Sequence, residues 1–520
     1  MKEGKDRLIL KDLISDLAVA KVVGDAGIEV RGLAYHSRDV QAGFLFAAIP
    51  GWREDGRKYI PEAIDRGAQV LLVNSFIEEI KITQIIVPEV REALARLAAT
   101  FYDHPSLSLK VIGITGTNGK TTTSYLIESI LKEAGSRPGV IGTINYRYQG
   151  QVWPAPTTTP ESLDLQRVMQ NMRAAGVTEV ILEVSSHALD MQRVRACHFD
   201  VALFTNLTRD HLDYHRSMED YFRAKQLLFT QYLGESKKDP RFAIVNLDDP
   251  RGAELLRVAA GRKFGYGIKK KGDVWPEEVA ESPDGLWCRV QTPRGAYEIA
   301  SPLIGQHNLY NLLAAISVGE VFQIPIPAIR KGLRELDRVP GRLELIKGEE
   351  GVRVFIDYAH TEDALARALA TLRQIYPGRL LVVFGCGGDR DKGKRAKMGQ
   401  VAAWGSDLAI VTSDNPRTED PLAIISEIEE GLRVVKAQKH SAADLLKQVN
   451  LLDQNPHYVI IPDRREAIDF AIRLAQPNDV VLIAGKGHEN YQIIGPERIH
   501  FDDREEAERA LGLKKERKNL

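Results

Sequence analysis

The stretch VIGITGTNGKTTTSYLIESIL, residues 111 to 131, constrains this chain more than any other. Apolar residues run into a loop of Gly116, Thr117, Asn118 and Gly119, and Lys120, Thr121 and Thr122 then open a segment with apolar residues at helical spacing. Strand, glycine-rich turn and helix in that order make an anion cradle. The glycines let backbone N–H groups close on phosphate oxygens, and the helix N-terminus adds its dipole. Lys120 would reach the terminal phosphates of a nucleotide, and Thr121 would ligate Mg²⁺. The spacing departs from the common G-x-x-x-x-G-K-T form, because Ile114 stands where its first glycine belongs.

Other apolar runs also end in glycine-rich or charged loops: EVILEVSSH, DVALFTNLTRDH, RLLVVFGCGGDRD, DLAIVTSDNPR and DVVLIAGKGHE. Continuous apolar runs separated by helix-like segments read as buried parallel strands, whose ligands bind outside their carboxyl ends. At 520 residues the chain exceeds what one core can serve. Pro-containing breaks at HPSLS (104–108) and VPGR (339–342) divide it into blocks 1–108, 109–338 and 339–520. In the first block AQVLLV alternates with PEVREALARLAATFY, again strand and helix. The expected class is therefore α/β with three domains, the central one a parallel-sheet P-loop ATPase and the last one Rossmann-like.

Seventy basic residues against seventy-one acidic ones leave a net charge of −1, which supplies no electrostatic argument for a nucleic-acid or membrane-surface partner. No run reaches the roughly 18 apolar residues of a membrane span. Cys197, Cys288 and Cys386 are isolated, so neither a disulfide framework nor a zinc site is indicated, and a reducing cytoplasm fits best. The simplest expectation is a cytoplasmic monomer acting on small molecules.

Glu183 ends the run VILE, where a purely structural carboxylate would be awkward, and Asp210 and His211 end another strand. Alone, His211 reads as a surface or capping histidine; beside Thr121 and Glu183 in one inferred sheet, it becomes a metal-ligand candidate. After His215, Ser217 and Asp220 form a capping pair. Met218, Tyr221, Phe222, Leu228 and Phe229 make an apolar stripe, and Lys225 falls on that stripe. A lysine so placed commonly snorkels to water. Buried, it would lose its proton, and the neutral amine could take up carbon dioxide as a carbamate able to bind a metal.

TGTNGKTT, EVSSHAL, TNLTRDHLDYH, YFRAKQLLF, IGQHNLYN, GRLE, DYAH, DNPR and GKGHE, in this order and spanning the chain, strongly resemble the Mur ligases of peptidoglycan precursor synthesis, the pathway behind cell shape and division. The resemblance implies an ATP-dependent, ADP-forming ligase. It would phosphorylate the D-glutamyl carboxylate of UDP-N-acetylmuramoyl-L-alanyl-D-glutamate and let the amine of a diamino acid displace the phosphate. It implies two Mg²⁺ ions around Thr121, Glu183, His211 and carbamoylated Lys225. It places Asn308 and Asp357 at the adenosine, and Arg342, with His360 nearby, at the γ-phosphate. SRDVQAGFLFAAIPGWREDGRKYIPEAI looks like the family's UDP-binding segment, so Ser37 and the loop Trp52, Arg53 and Glu54 would hold the uridine diphosphate. Thr157, Thr158, Thr159, Ser185 and Arg193 would meet the muramoyl dipeptide.

In SDNPRTEDP the plain reading is a capped turn. Under the resemblance, the DNPR form (Asp414, Asn415, Pro416, Arg417) is the version that selects meso-diaminopimelate, Arg417 pairing with its distal carboxylate. Arg390, Gly485 and Glu489 would complete that pocket, with Glu489 facing the distal ammonium. Two positions depart from the family pattern: Glu362 follows DYAHT where proline is usual, and Met191 stands where some relatives carry glutamine. The competing readings are the same reaction with L-lysine, a folylpolyglutamate synthetase, a P-loop switch and a degenerate binding protein. The switch reading lacks an N-K-x-D guanine-reading segment.

Overall fold

The computed structural model describes residues 7–17, 21–51, 54–212, 214–348, 351–447 and 455–512, so Trp52 and Arg53 lie outside the described residues. Among those described, an eight-stranded sheet forms the middle of the molecule. Its order runs Gln151–Pro154, Asn145–Tyr148, Pro138–Ile141, Glu179–Glu183, Lys110–Thr115, Val201–Phe204, Phe242–Asn246, Arg262–Tyr266. All pairings from Pro138–Ile141 onward are parallel, and only the Asn145–Pro154 hairpin runs antiparallel. The strand leading into the glycine-rich loop is thus central. It is flanked on one side by the strand ending at Glu183 and on the other by the strand that leads to His211.

The helix Lys120–Glu133 follows the loop and buries Leu126, Ile127, Ile130 and Leu131. These pack in one cluster with Leu312 and Leu313 of Gln306–Val321 and with Ile329 and Leu333 of Ile326–Glu335. Each such side chain contributes about 1.5–3 kcal/mol on burial, enough to hold the helix N-terminus rigidly over the sheet.

A seven-stranded sheet carries the third block in the order Glu344–Lys347, Arg353–Asp357, Val480–Ala484, Leu380–Phe384, Leu408–Val411, His457–Ile460, Gln438–Lys439. Only its first pair is antiparallel. Alternate residues fill two separate cores: Phe355, Val382, Phe384, Val411 and Leu482 on one face, Val354, Leu381, Val383, Ile410 and Val481 on the other. That is why these strands read as unbroken apolar runs. Near the N-terminus a five-stranded sheet, parallel except for Lys21–Val23, includes the AQVLLV strand Ala68–Val73.

Two features were not anticipated from sequence. The break at 104–108 folds as a short helix, Pro105–Ser108, entered through Asp103 and His104 at φ 56° and 45°. An antiparallel meander of Trp275–Ser282, Gly285–Thr292 and Gly295–Ser301 packs Leu286, Cys288, Val290 and Ile299 onto the central core. Its half-buried strands carry too many polar residues to stand out as apolar runs. Among the described residues, no helix is long and apolar enough to cross a membrane.

Candidate functional site

The glycine-rich loop adopts a conformation open to little besides glycine. Gly116 has φ 146°, and a Cβ there would lie 1.9 Å from Thr205 Oγ1; Gly119 has φ 88°, and a Cβ there would lie 2.4 Å from Asn311 Oδ1. Thr117 to Thr122 line a cavity of about 540 Å³, while Gly116 lies just behind it. The Gly116 carbonyl accepts from Lys120 Nζ at 2.8 Å and from Lys225 Nζ at 2.9 Å.

Lys225 is 1 % exposed and lies over the Tyr221 ring, so it is buried and does not snorkel. Burial, then the nearby Lys120 charge, drives its ammonium well below the ordinary lysine value. Its helix, Met218–Leu227, starts at Ser217, whose Oγ accepts from Asp220 N at 3.1 Å.

Glu183 is 1 % exposed at its strand end. Its Oε2 accepts from Thr121 Oγ1 at 3.0 Å and from Thr143 Oγ1 at 2.8 Å, and its Oε1 accepts from Thr143 N at 3.2 Å. Thr143 does not stand out in the sequence, because a lone threonine after a strand carries no signal. A hydroxyl and a carboxylate at this spacing suit Mg²⁺, which typically takes one or two carboxylates and fills the rest of its shell with water and phosphate oxygens. Among the described residues no cluster of three or more His, Cys, Asp or Glu side chains is gathered for a metal.

His211, at φ 54°, stands edge-on to His187 with ring centroids 4.9 Å apart, and its Nε2 is 3.5 Å from Asp210 Oδ2. Burial opposes ionisation of Asp210, but His211 and His360 outweigh it and hold the carboxyl below its usual range. Arg342 crosses from the third sheet: its Nη2 donates to Thr121 Oγ1 at 3.4 Å, and its guanidinium lies over Tyr358. Asp357 lines the same cavity, with its carboxylate braced by Leu343 N and Ala359 N. Burial pushes His360 below the ordinary histidine value, and Lys394 adds to this. The far wall is His307, Tyr310 and Asn311; Asn308 sits behind them, its amide spent on Ile304 O and on the Asn311 amide.

A second cavity, of about 1010 Å³, opens between the first and central sheets and is lined by Ser37, Glu54, Thr157 and Arg193. Ser37 Oγ donates to Glu62 at 2.7 Å. Arg193 Nη1 donates to Thr159 O at 3.1 Å and its Nη2 to the Met191 sulfur at 3.5 Å. Buried Thr159 donates to Glu183 O, while Thr158 and Ser185 line the first cavity.

The third cavity, of about 410 Å³, is lined by Arg390, Asp414, Asn415, Arg417, Gly485 and Glu489, together with His211 and His360, which it shares with the first. Pro416 is buried outside its wall. Arg417 sits at φ 54°, bridged to Ile494, and its Nη1 donates to Gly388 O at 2.7 Å. Burial and then the Asp414 charge raise the Glu489 carboxyl, whereas for Asp414 burial is outweighed by Lys486 and Arg464, which hold it low.

Beneath the pocket lie residues that sequence reasoning missed. Arg395, 0 % exposed, pairs with Glu419 at 2.9 Å and Glu427 at 3.0 Å. Arg464 pairs with Asp503 at 2.7 Å with both side chains fully buried. Lys486 is visible inside GKGHE as a lysine between two glycines, but nothing in that spacing says where it points.

Family models match along most of the chain: "Mur ligase family, catalytic domain" over residues 29–102, "Mur ligase middle domain" over 114–319 and "Mur ligase, glutamate ligase domain" over 341–487. The chain belongs to the Mur ligase family. Within it, the chain is 47 % identical over 505 residues to the UDP-N-acetylmuramoyl-L-alanyl-D-glutamate--2,6-diaminopimelate ligase of Geobacter metallireducens, covering 96 % of this chain and 98 % of that one. The ligase of the same name from Bacillus licheniformis is 41 % identical over 494 residues, 95 % and 97 % of the two chains. A solved structure of a ligase with that name superposes with a TM-score of 0.66 at 32 % identity, covering 93 % of this chain and 95 % of the other.

Proposed function

We propose that this protein joins meso-diaminopimelate to the D-glutamyl carboxylate of UDP-N-acetylmuramoyl-L-alanyl-D-glutamate at the expense of ATP, in peptidoglycan precursor synthesis. The observation that carries the reading is that the loop cavity lies between the other two and adjoins both. The loop cavity and the Ser37–Arg193 cavity meet at Thr157 and Thr158, and the loop cavity joins the Arg417 pocket through His211 and His360. A ligase that activates one carboxylate and delivers one amine needs such a junction.

In this reading the backbone N–H groups of the loop and Lys120 hold the ATP phosphates. Arg342, brought in from the third sheet, stabilises charge on the γ-phosphoryl as it passes to the carboxylate. His307 and Tyr310 bound the nucleoside end, with Asn308 supporting them and Asp357 fixing the Leu343 turn. Thr121 and Glu183, with His211 lining the same cavity as Thr121, would hold Mg²⁺, which would supply charge neutralisation on the phosphates. Thr143 holds the Glu183 carboxylate toward that position, and Thr159 fixes the Glu183 backbone carbonyl behind it.

Ser37 and Glu54 take the uridine diphosphate end, and Ser185, Arg193 and the Thr157–Thr159 run the muramoyl dipeptide. Arg417 and Asn415 then grip the distal carboxylate of the amino acid, with Arg390 and Gly485 closing the pocket, and Glu489 accepts from its ammonium. The attacking amine forms the C–N bond, gives up its proton and expels phosphate from the acyl phosphate.

The reading includes a carbamate on Lys225. Burial lowers the Lys225 ammonium and so favours the free amine, whose Nζ would add to the carbon of carbon dioxide with release of a proton, leaving an anion that could serve a second Mg²⁺. A ¹³CO₂-labelled enzyme should show a carbamate carbon resonance that Lys225→Arg lacks. The reading also takes the chain as a cytoplasmic monomer of three domains divided near 108 and 338, with its three buried free cysteines suited to a reducing compartment.

The test is phosphate release with ATP, Mg²⁺ and UDP-N-acetylmuramoyl-L-alanyl-D-glutamate, comparing meso-diaminopimelate, L-lysine and no amino acid. Turnover only with meso-diaminopimelate is expected. Turnover with lysine would keep the ligase and remove the Arg417 argument, and release without any amino acid would remove the ligase.

A further inference from the structure

Directly below the third cavity lies a lysine that does not line it. Lys486 follows the strand Val480–Ala484 and is 0 % exposed. Its Nζ donates to Asn415 Oδ1 at 3.2 Å, and lies 3.5 Å from Asp414 Oδ1 and 3.7 Å from Glu489 Oε2. Asn415 Oδ1 also accepts from Ile493 N at 3.0 Å. An ammonium and a backbone N–H are donors only, so the end of the Asn415 carboxamide between them must be the oxygen. The other end, Nδ2, therefore turns the opposite way: one of its hydrogens goes to Glu489 Oε2 at 2.9 Å, and the second remains for the cavity.

We propose that Lys486 sets the polarity of the amino-acid pocket. By holding Asn415 Oδ1 it makes Asn415 present a donor beside the Arg417 guanidinium, so the two together receive a carboxylate, while Glu489 receives an ammonium. Lys486 is thus a positioning residue that determines specificity without touching the substrate. The inference rests on the amino-acid-ligase reading above. Without the lysine, Asn415 Oδ1 keeps only Ile493 N and Nδ2 keeps only Glu489 Oε2, so the amide is held less firmly in the orientation that offers a donor to the incoming carboxylate. Asp414 and Glu489 also lose the cation between them.

The same logic explains why the pocket floor is charged yet closed. Gln492 Nε2 donates to Asp414 O at 2.6 Å, and Arg464, committed to Asp503 and Ala484 O, stands on the far side of Gly485. Each neighbour fixes a backbone or a carboxylate; the Asn415 amide itself is oriented by Lys486 and Ile493 N at its oxygen and by Glu489 Oε2 at its nitrogen.

The experiment is steady-state kinetics of Lys486→Met against wild type with meso-diaminopimelate and, at high concentration, L-lysine. The variant should lose about 10²-fold in kcat/KM for meso-diaminopimelate, carried mainly by KM, as expected when a polar pocket presents the wrong partner. Its KM values for ATP and the UDP precursor should stay within about twofold, and its lysine turnover within about threefold, since lysine has no distal carboxylate to misplace. Equal losses on both amino acids, or an unchanged meso-diaminopimelate KM, would overturn the proposal. If Lys486→Met does not fold, Asn415→Asp decides: it keeps a partner for Lys486 but replaces the donor with an oxygen. The same selective loss is expected, and unimpaired use of meso-diaminopimelate would overturn the inference. A wild-type enzyme that ignores meso-diaminopimelate would instead defeat the functional reading, whatever either variant does.

Discussion

In the proposed reading, the glycine-rich loop and the amino-acid pocket would hold their charged ligands by different means. In the loop, recognition would fall to the backbone: two glycines at positive φ, a helix N-terminus and one lysine come from a single contiguous segment. In the pocket, recognition would fall to side chains on three separate strand ends, Arg390 after Leu380–Phe384, Asn415 and Arg417 after Leu408–Val411, and Glu489 after Val480–Ala484. Side chains can turn, so the pocket requires a buried support of Arg395, Arg464 and Lys486, whose side chains are all fully buried. A backbone site is carried by its own hydrogen bonds, whereas a side-chain site depends on what lies beneath it.

The comparison breaks most visibly at Lys120. Lys120→Ala should cost on the order of 10³-fold or more in kcat/KM with every amino acid alike, because it removes the one mobile charge in an otherwise backbone site. Phosphate-release assays with several amino acids read this directly, and a loss confined to meso-diaminopimelate would contradict it. Arg417→Ala should behave in the opposite way. It loses about 2–5 kcal/mol of transition-state binding for meso-diaminopimelate with the ATP KM unchanged. A variant with wild-type kcat/KM would reduce Arg417 to part of a turn.

The same contrast governs what could be read from the sequence. The loop was legible because its residues are neighbours and its glycines have one physical reason to be there. The parallel strands were legible because both faces of each sheet are buried, leaving uninterrupted runs such as VVLIA and LLVVF. The second and third cavities were legible only through motif resemblance, and the supports beneath the third were not legible at all. Arg395 and Glu419 are 24 positions apart, Arg464 and Asp503 are 39 apart, and no periodicity connects them. Lys225 was the informative intermediate case: its place on an apolar stripe allowed either snorkelling or burial, and the packing of Tyr221 and Phe222 decides for burial.

A smaller effect should come from the support itself. Arg395 joins two loops: it donates to Gly387 O, and its partner Glu419 accepts from Asp389 N at 2.6 Å. Arg395→Met removes a fully buried guanidinium from the partly exposed Glu419 and Glu427 and should cost about 1–2 kcal/mol in stability of the third sheet. The pH dependence separates this from a general packing loss. Hydrogen bonding to Arg395, then to Asp389 N, holds the Glu419 carboxyl down at about 2 from an ordinary 4.5. A depressed carboxyl contributes stability that is present above about pH 4.5 and lost as pH falls toward 2. Denaturant midpoints measured across that window should fall with pH in the wild type and flatten in Arg395→Met; equal slopes would mean that Glu419 is not held by this arginine.

The smallest expected effect tests the other side of the comparison. Ser217 caps the helix that carries Lys225, accepting from Asp220 N and donating to Asp220 Oδ2 at 2.8 Å. Ser217→Ala should cost about 1 kcal/mol, seen as faster amide hydrogen exchange over the first turn of that helix. Turnover should nevertheless stay within about threefold of wild type, because Lys225 is fixed by the packing of Tyr221, Phe222 and Phe229 and by its bond to Gly116 O, two turns beyond the cap. If kcat instead fell more than about tenfold, Lys225 would be positioned by its helix end, and the region around the loop would lean on remote support as the amino-acid pocket does.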